Sequence, residues 1–111
     1  MSNNIDLNIV LKSVRFTLTE ELSKYPIESY KQDIIINDNN CFRTIIEWEK
    51  CMGELLVEKA EFAPYRYVIF NIFSIITEEI TPVFCWYDSE NDSLETIIKK
   101  IKEGLLMGFK Y

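Results

Sequence analysis

Apolar residues recur at helical spacing from residue 6 to residue 24. Leu7, Val10, Leu11, Val14, Leu18 and Leu22 share one stripe, while Lys12, Ser13, Glu20 and Glu21 fall largely off it. The spacing predicts a helix of about five turns. Asn4 or Asp6 is placed to cap it. Tyr25-Pro26 ends it, because the residue before a proline is pushed out of helical geometry. Ile5, Leu7, Ile9 and Leu11 also alternate, so a strand competes at the start, but the helical period lasts longer.

Residues 27–40 carry a weaker pattern. Ile34, Ile35 and Ile36 form a β-branched run that suits a strand or an extended connector. Asn37-Asp38-Asn39-Asn40 signals a turn, with Asn40 able to cap a following helix. Residues 41–52 predict a short helix: Cys41, Ile45, Trp48 and Met52 share a face, Phe42 and Ile46 lie beside it, and Gly53 is a natural stop. The period then changes. Leu55–Phe62 reads as a strand whose charges, Glu54 at its start and then Glu58, Lys59 and Glu61, suit a sheet edge. Ala63-Pro64 breaks it. Tyr65–Ile76 is apolar on both faces, which predicts a central strand covered on both sides. Thr77-Glu78-Glu79 is a hairpin-like break, and Pro82–Tyr87 is a further aromatic strand.

Asp88–Ser93 is a polar loop. Asp92 and Glu95 have capping-box spacing ahead of a last helix. That helix carries Leu94, Ile97, Ile98, Ile101 and Leu105 on one side and Lys99, Lys100, Lys102 and Glu103 on the other; Gly104 or Gly108 would terminate it. The order predicts an α+β fold in a single domain over residues 1–111, an antiparallel sheet of three or more strands packed with about three helices.

Composition supports a packed core: 48% of the 111 residues are apolar and 14% aromatic. Charge narrows the partners. The net charge of −6 repels phosphate backbones and anionic lipid, which points away from nucleic acid and membrane and toward a cationic partner. There is no basic, apolar leader at the N-terminus and no run long enough to span a bilayer, so a cytoplasmic protein is expected. The three cysteines, Cys41, Cys51 and Cys85, are widely spaced, which suits reduced thiols rather than a disulfide framework or a zinc site.

Catalytic chemistry finds little support. Histidine is absent, which removes the commonest general base and metal ligand. The glycines form no phosphate-binding loop. Asp88, Glu90 and Asp92 alternate as at the start of a calcium loop, but Ser93 stands where the glycine belongs and Lys99 where the final glutamate belongs. No cofactor or metal is expected. The carboxylates instead suggest a docking surface made of Glu58, Glu61, Glu78, Glu79, Asp88, Glu90 and Asp92. Trp86 and Tyr87, on opposite faces of their strand, would supply aromatic anchors.

The run Gly53–Val68, GELLVEKAEFAPYRYV, followed by Pro82–Asp88, PVFCWYD, an acidic loop and a terminal helix, resembles small bacterial immunity proteins encoded beside polymorphic or contact-dependent growth inhibition toxins. The resemblance implies a non-enzymatic protein that binds and blocks a cognate toxin, nucleases being common targets of that class. Two alternatives stand beside it: a self-associating structural or regulatory module with the charged edge strand as its dimer seam, and a small enzyme working through carboxylates alone.

Overall fold

The computed structural model describes residues 5–61 and 65–111. Helix α1 spans Leu7–Leu22, and Asp6 caps it by accepting the Ile9 N–H at 2.9 Å. A 3₁₀ turn at Ile27–Ser29 leads into β1 (Lys31–Asn37), β2 (Cys41–Glu47), β3 (Cys51–Glu58), β4 (Val68–Ser74) and β5 (Pro82–Tyr87), and α2 (Leu94–Lys110) closes the order. The strands form one antiparallel sheet in the order β1-β2-β3-β4-β5, a meander in which every strand pairs with its sequence neighbour.

Both helices lie on the same face. The alternation of each strand decides which side chains they cover. Phe42, Thr44 and Ile46 of β2, Cys51, Leu55 and Val57 of β3, Val68, Phe70 and Ile72 of β4, and Phe84 of β5 are buried. Helix α1 lays Val10, Leu11, Val14, Leu18 and Leu22 over β2 and β3. Helix α2 lays Ile97, Ile101 and Leu105 over β3, β4 and β5, and the two helices touch. All of these apolar side chains belong to one core cluster. Close approach depends on two glycines: a Cβ on Gly104 would stand 2.6 Å from the Phe70 ring, and one on Gly108 2.6 Å from the Trp48 ring.

Several sequence expectations change here. Residues 41–52 are a β-hairpin, not a helix. Cys41, Ile45, Trp48 and Met52 mimic a helical stripe by spacing, but Phe42, Thr44 and Ile46 alternate inward against the helices and decide the outcome. Gly53 is buried within β3, where a Cβ would meet Ile72 at 2.8 Å, rather than stopping a helix. With that helix gone, the described residues hold two α-helices instead of about three.

The charged strand is central, not an edge, so the dimer seam expected along it does not exist there. Its charge is tolerated because Glu54 and Glu58 point away from the helices. Strand β4 is covered on one face only; Ile69 and Asn71 stay half-buried and Phe73 exposed on the other. Gly104 and Gly108 lie inside α2, which runs to Lys110. Ser93, not Asp92, caps α2, accepting the Thr96 N–H at 3.1 Å. The alternative cap Asn4, the strand end at Phe62 and the Ala63-Pro64 break lie outside the described residues. The edge strand β1 is exposed along its whole length, with a register irregularity between Ile34 and Ile36 and charges at Lys31 and Asp33 that discourage edge-to-edge pairing.

Candidate docking surface

The sheet face opposite the helices is covered by no described element. Strand register arranges it in three rows. Ile36, Arg43, Leu56, Ile69 and Tyr87 form a row across all five strands. Asp33, Ile45, Glu54, Asn71 and Cys85 form the next, and Lys31, Glu47, Met52, Phe73 and Pro82 the third. Met52, Phe73 and Tyr87 are 43%, 37% and 51% exposed. In the middle, Arg43 Nη2 meets Glu54 Oε2 at 2.7 Å. Both side chains are about two-fifths exposed, so the pair contributes on the order of 0–1 kcal/mol. The surface is therefore mixed: apolar side chains from all five strands surround the solvated Arg43–Glu54 pair, Asn71 lies on β4, and Lys31, Asp33 and Glu47 stand toward the β1 edge.

The acidic residues expected to converge divide between the two ends of the sheet. Glu58, Glu61, Glu90 and Asp92 lie where β3 and β5 finish. Glu78 and Glu79 lie in the β4–β5 turn, at the other end of a seven-residue strand that spans roughly 20 Å. Trp86 is half-buried and packs against the core, whereas Tyr87 stands on the open face, as their alternation requires.

Asp88 leaves the candidate surface altogether. It is fully buried, and its Oδ1 accepts the N–H groups of Arg66, Tyr67 and Val68 at 3.1, 2.8 and 2.7 Å. Its Oδ2 faces Arg66 Nε at 3.5 Å. Asp88 thus ties the end of β5 to the start of β4. Asp92 is also occupied, its Oδ2 accepting the Ser89 N–H at 2.7 Å. Asp88 and Asp92 of the calcium-like alternation turn to separate partners. Among the described residues, no three or more carboxylate or cysteine side chains are grouped to hold a metal.

Sequence reasoning missed a concave feature. A groove of about 610 Å³ opens where α2 ends, walled by residues 28–31, the β2–β3 turn and the last residues of α2. Phe109 is its hub: Tyr25 stacks on it at 3.6 Å, and Tyr30 and Trp48 meet it edge-on at 5.8 and 5.6 Å. These rings come from four separate segments, so no local pattern could announce the cluster.

The thiols differ in access. Cys85 is exposed on β5. Burial, then Glu58 and Asp38, push the Cys41 thiol up. Burial pushes Cys51 up as well, and its Sγ–H donates to the Gly108 carbonyl at 3.4 Å. Iodoacetamide acts on the thiolate. Native protein is therefore expected to label at Cys85 first, at Cys41 more slowly and at Cys51 only after unfolding. Peptide mass spectrometry over time reads the order, and early labelling of Cys51 would contradict the packing of α2 on β3.

No helix among the described residues is long and apolar enough to cross a membrane. No family model matches the chain, nor does any curated protein or solved structure.

Proposed function

We propose that this chain is a non-catalytic binding protein that neutralises a cognate bacterial toxin, docking the uncovered face of its sheet over the toxin's active site or substrate surface. The observation that carries the reading is the set of side-chain rows with no covering element. Ile36, Leu56, Ile69 and Tyr87 in one row, interrupted by Arg43, and Met52 and Phe73 across the row of Ile45, Glu54 and Asn71, give an amphipathic face of the kind that a partner covers. Charge sets the partner's character. The chain is net −6, and glutamates stand at both ends of the sheet, with Glu58, Glu61 and Glu90 at one end and Glu78 and Glu79 at the other. A toxin surface with apolar contacts flanked by lysine and arginine fits this arrangement, and a nuclease site built to hold phosphate has that character. The absence of histidine from the sequence and the immunity-protein resemblance favour inhibition over catalysis.

The test pairs the chain with the product of the neighbouring upstream gene. Co-purification, and protection of cells expressing that product, are the expected results. The exposed substitutions Met52→Lys and Tyr87→Lys together are expected to weaken the complex roughly 100-fold, the scale of losing central anchors, while circular dichroism stays unchanged. Absence of both complex and protection would overturn the reading. So would binding that ignores both substitutions, or a homodimer by light scattering that is lost in the double variant, since the face would then belong to a second copy.

A further inference from the structure

We infer that the free edge of β5 takes an extended segment of a partner protein as an added strand, one with lysine or arginine at both ends and uncharged residues between. Strand β5 ends the sheet and pairs with β4 alone. Along an antiparallel pair, backbone groups turn alternately toward the neighbouring strand and away from it. The Asp88 N–H donates to the Val68 carbonyl at 3.0 Å, and Trp86 and Phe84 keep the same phase against Phe70 and Ile72. Cys85 and Tyr87 therefore turn their N–H and C=O groups outward, where no described residue bonds them. Another strand supplies the matching donors and acceptors.

The side chains leave this edge open. Cys85 is exposed, Tyr87 is 51% exposed, and Trp86 on the opposite face is half-buried. The other edge of the sheet is guarded: β1 carries Lys31 and Asp33 and an irregular register. Strand β5 carries no charged residue, and the irregularity in its own pairing lies before Phe84.

Charge selects the occupant. The sequence holds no lysine or arginine between Arg66 and Lys99. Exposed carboxylates stand beyond each end of β5, with Glu78 and Glu79 before it and Glu90 after it. The six residues of β5 span roughly 20 Å, so an added strand of about eight residues reaches both ends. A cation at each end of that strand is attracted, and a carboxylate there is repelled. A second copy of this chain fits poorly. Antiparallel pairing centred on Cys85 would bring Glu79 of one copy close to Glu90 of the other, twice over, and like charges across a strand pair are destabilising. Each copy also carries a net charge of −6.

The inference goes beyond the sheet-face reading and stands without it, because a peptide probes the edge in place of a toxin. The probe is an acetylated, amidated octapeptide of alternating valine and threonine with lysine at each end. It is titrated into the full chain while NMR follows the Cys85 and Tyr87 amides. A saturable shift of both, with slowed hydrogen exchange and a Kd on the order of 1 mM, is expected. The same peptide with glutamate ends is expected to bind at least about 10-fold more weakly. A version N-methylated at every internal amide cannot pair with a strand, and it is expected to give no saturable shift. Glu79 and Glu90 are exposed, so a Glu79→Lys, Glu90→Lys variant is expected to fold and to bind the lysine-ended probe about 10-fold more weakly. No saturable shift at these two amides, equal binding of the lysine-ended and glutamate-ended probes, or undiminished binding of the N-methylated probe would each overturn the inference. So would a homodimer in which the two amides are already protected without peptide, because the edge would then belong to a second copy.

Discussion

Asp88→Ala is expected to destabilise the fold by about 4 kcal/mol, while Asp88→Asn costs about 1–2 kcal/mol. The difference follows from what each change removes. Alanine leaves the Tyr67 and Val68 N–H groups without their acceptor, and the Arg66 N–H with only the backbone carbonyl of residue 88, at 3.2 Å. It also leaves the Arg66 guanidinium, which donates from Nη2 to the Asp92 carbonyl at 3.0 Å, without its carboxylate. Asparagine keeps an oxygen at the Oδ1 position and loses only the charge facing Arg66. Urea unfolding of the three proteins measures the two differences. Equal costs would mean that the ion pair, not the triple acceptor, carries the effect.

The second large effect is expected at Gly104. In an exposed helix, alanine for glycine would stabilise by about 1 kcal/mol. Here the added methyl would stand 2.6 Å from Phe70 Cε2 and 2.9 Å from Phe84 Cε2, both in buried rings. Overpacking of that kind costs about 1–3 kcal/mol, enough to reverse the sign. Gly104→Ala should therefore lower stability by roughly 2 kcal/mol. Shortening the ring with Phe70→Leu should make the same glycine change much milder, because the two sites share the strain. Thermal unfolding of the single and double variants reads this coupling. A plain gain of stability from Gly104→Ala would show that α2 rides further from the sheet than 2.6 Å implies.

Much of the fold was legible where one period ran unopposed. Helix α1 declared itself through Val10, Leu11, Val14, Leu18 and Leu22, and α2 through Ile97, Ile101 and Leu105, all of which are buried. Strand β5 was legible from its proline start and aromatic run. The β2–β3 hairpin was not, because Cys41, Ile45, Trp48 and Met52 satisfy helical spacing by coincidence while the inward alternation is short. Which strand lies at an edge is a matter of pairing across the whole sheet, and the charges on β3 reflect its uncovered face instead.

Site features fared differently for a related reason. A carboxylate in a loop looks the same in sequence whether it meets solvent or three backbone N–H groups, so Asp88 and Glu90 were indistinguishable. Gly104 and Gly108, spaced to share a helix face with Ile97, Ile101 and Leu105, were the available sign that α2 presses close to the sheet.

The meander has a consequence for how the chain is made. Each hairpin joins neighbours in sequence, so the strands can zip together one after another as they leave the ribosome. The helix that shields β3, β4 and β5 is the last described element to emerge. Until residues 94–110 are clear of the exit tunnel, Phe70, Ile72 and Phe84 have nothing to rest against on their inner side. A nascent chain halted before that point would present oily surface on both sides of a nearly finished sheet, a form that chaperones would hold and proteases would find.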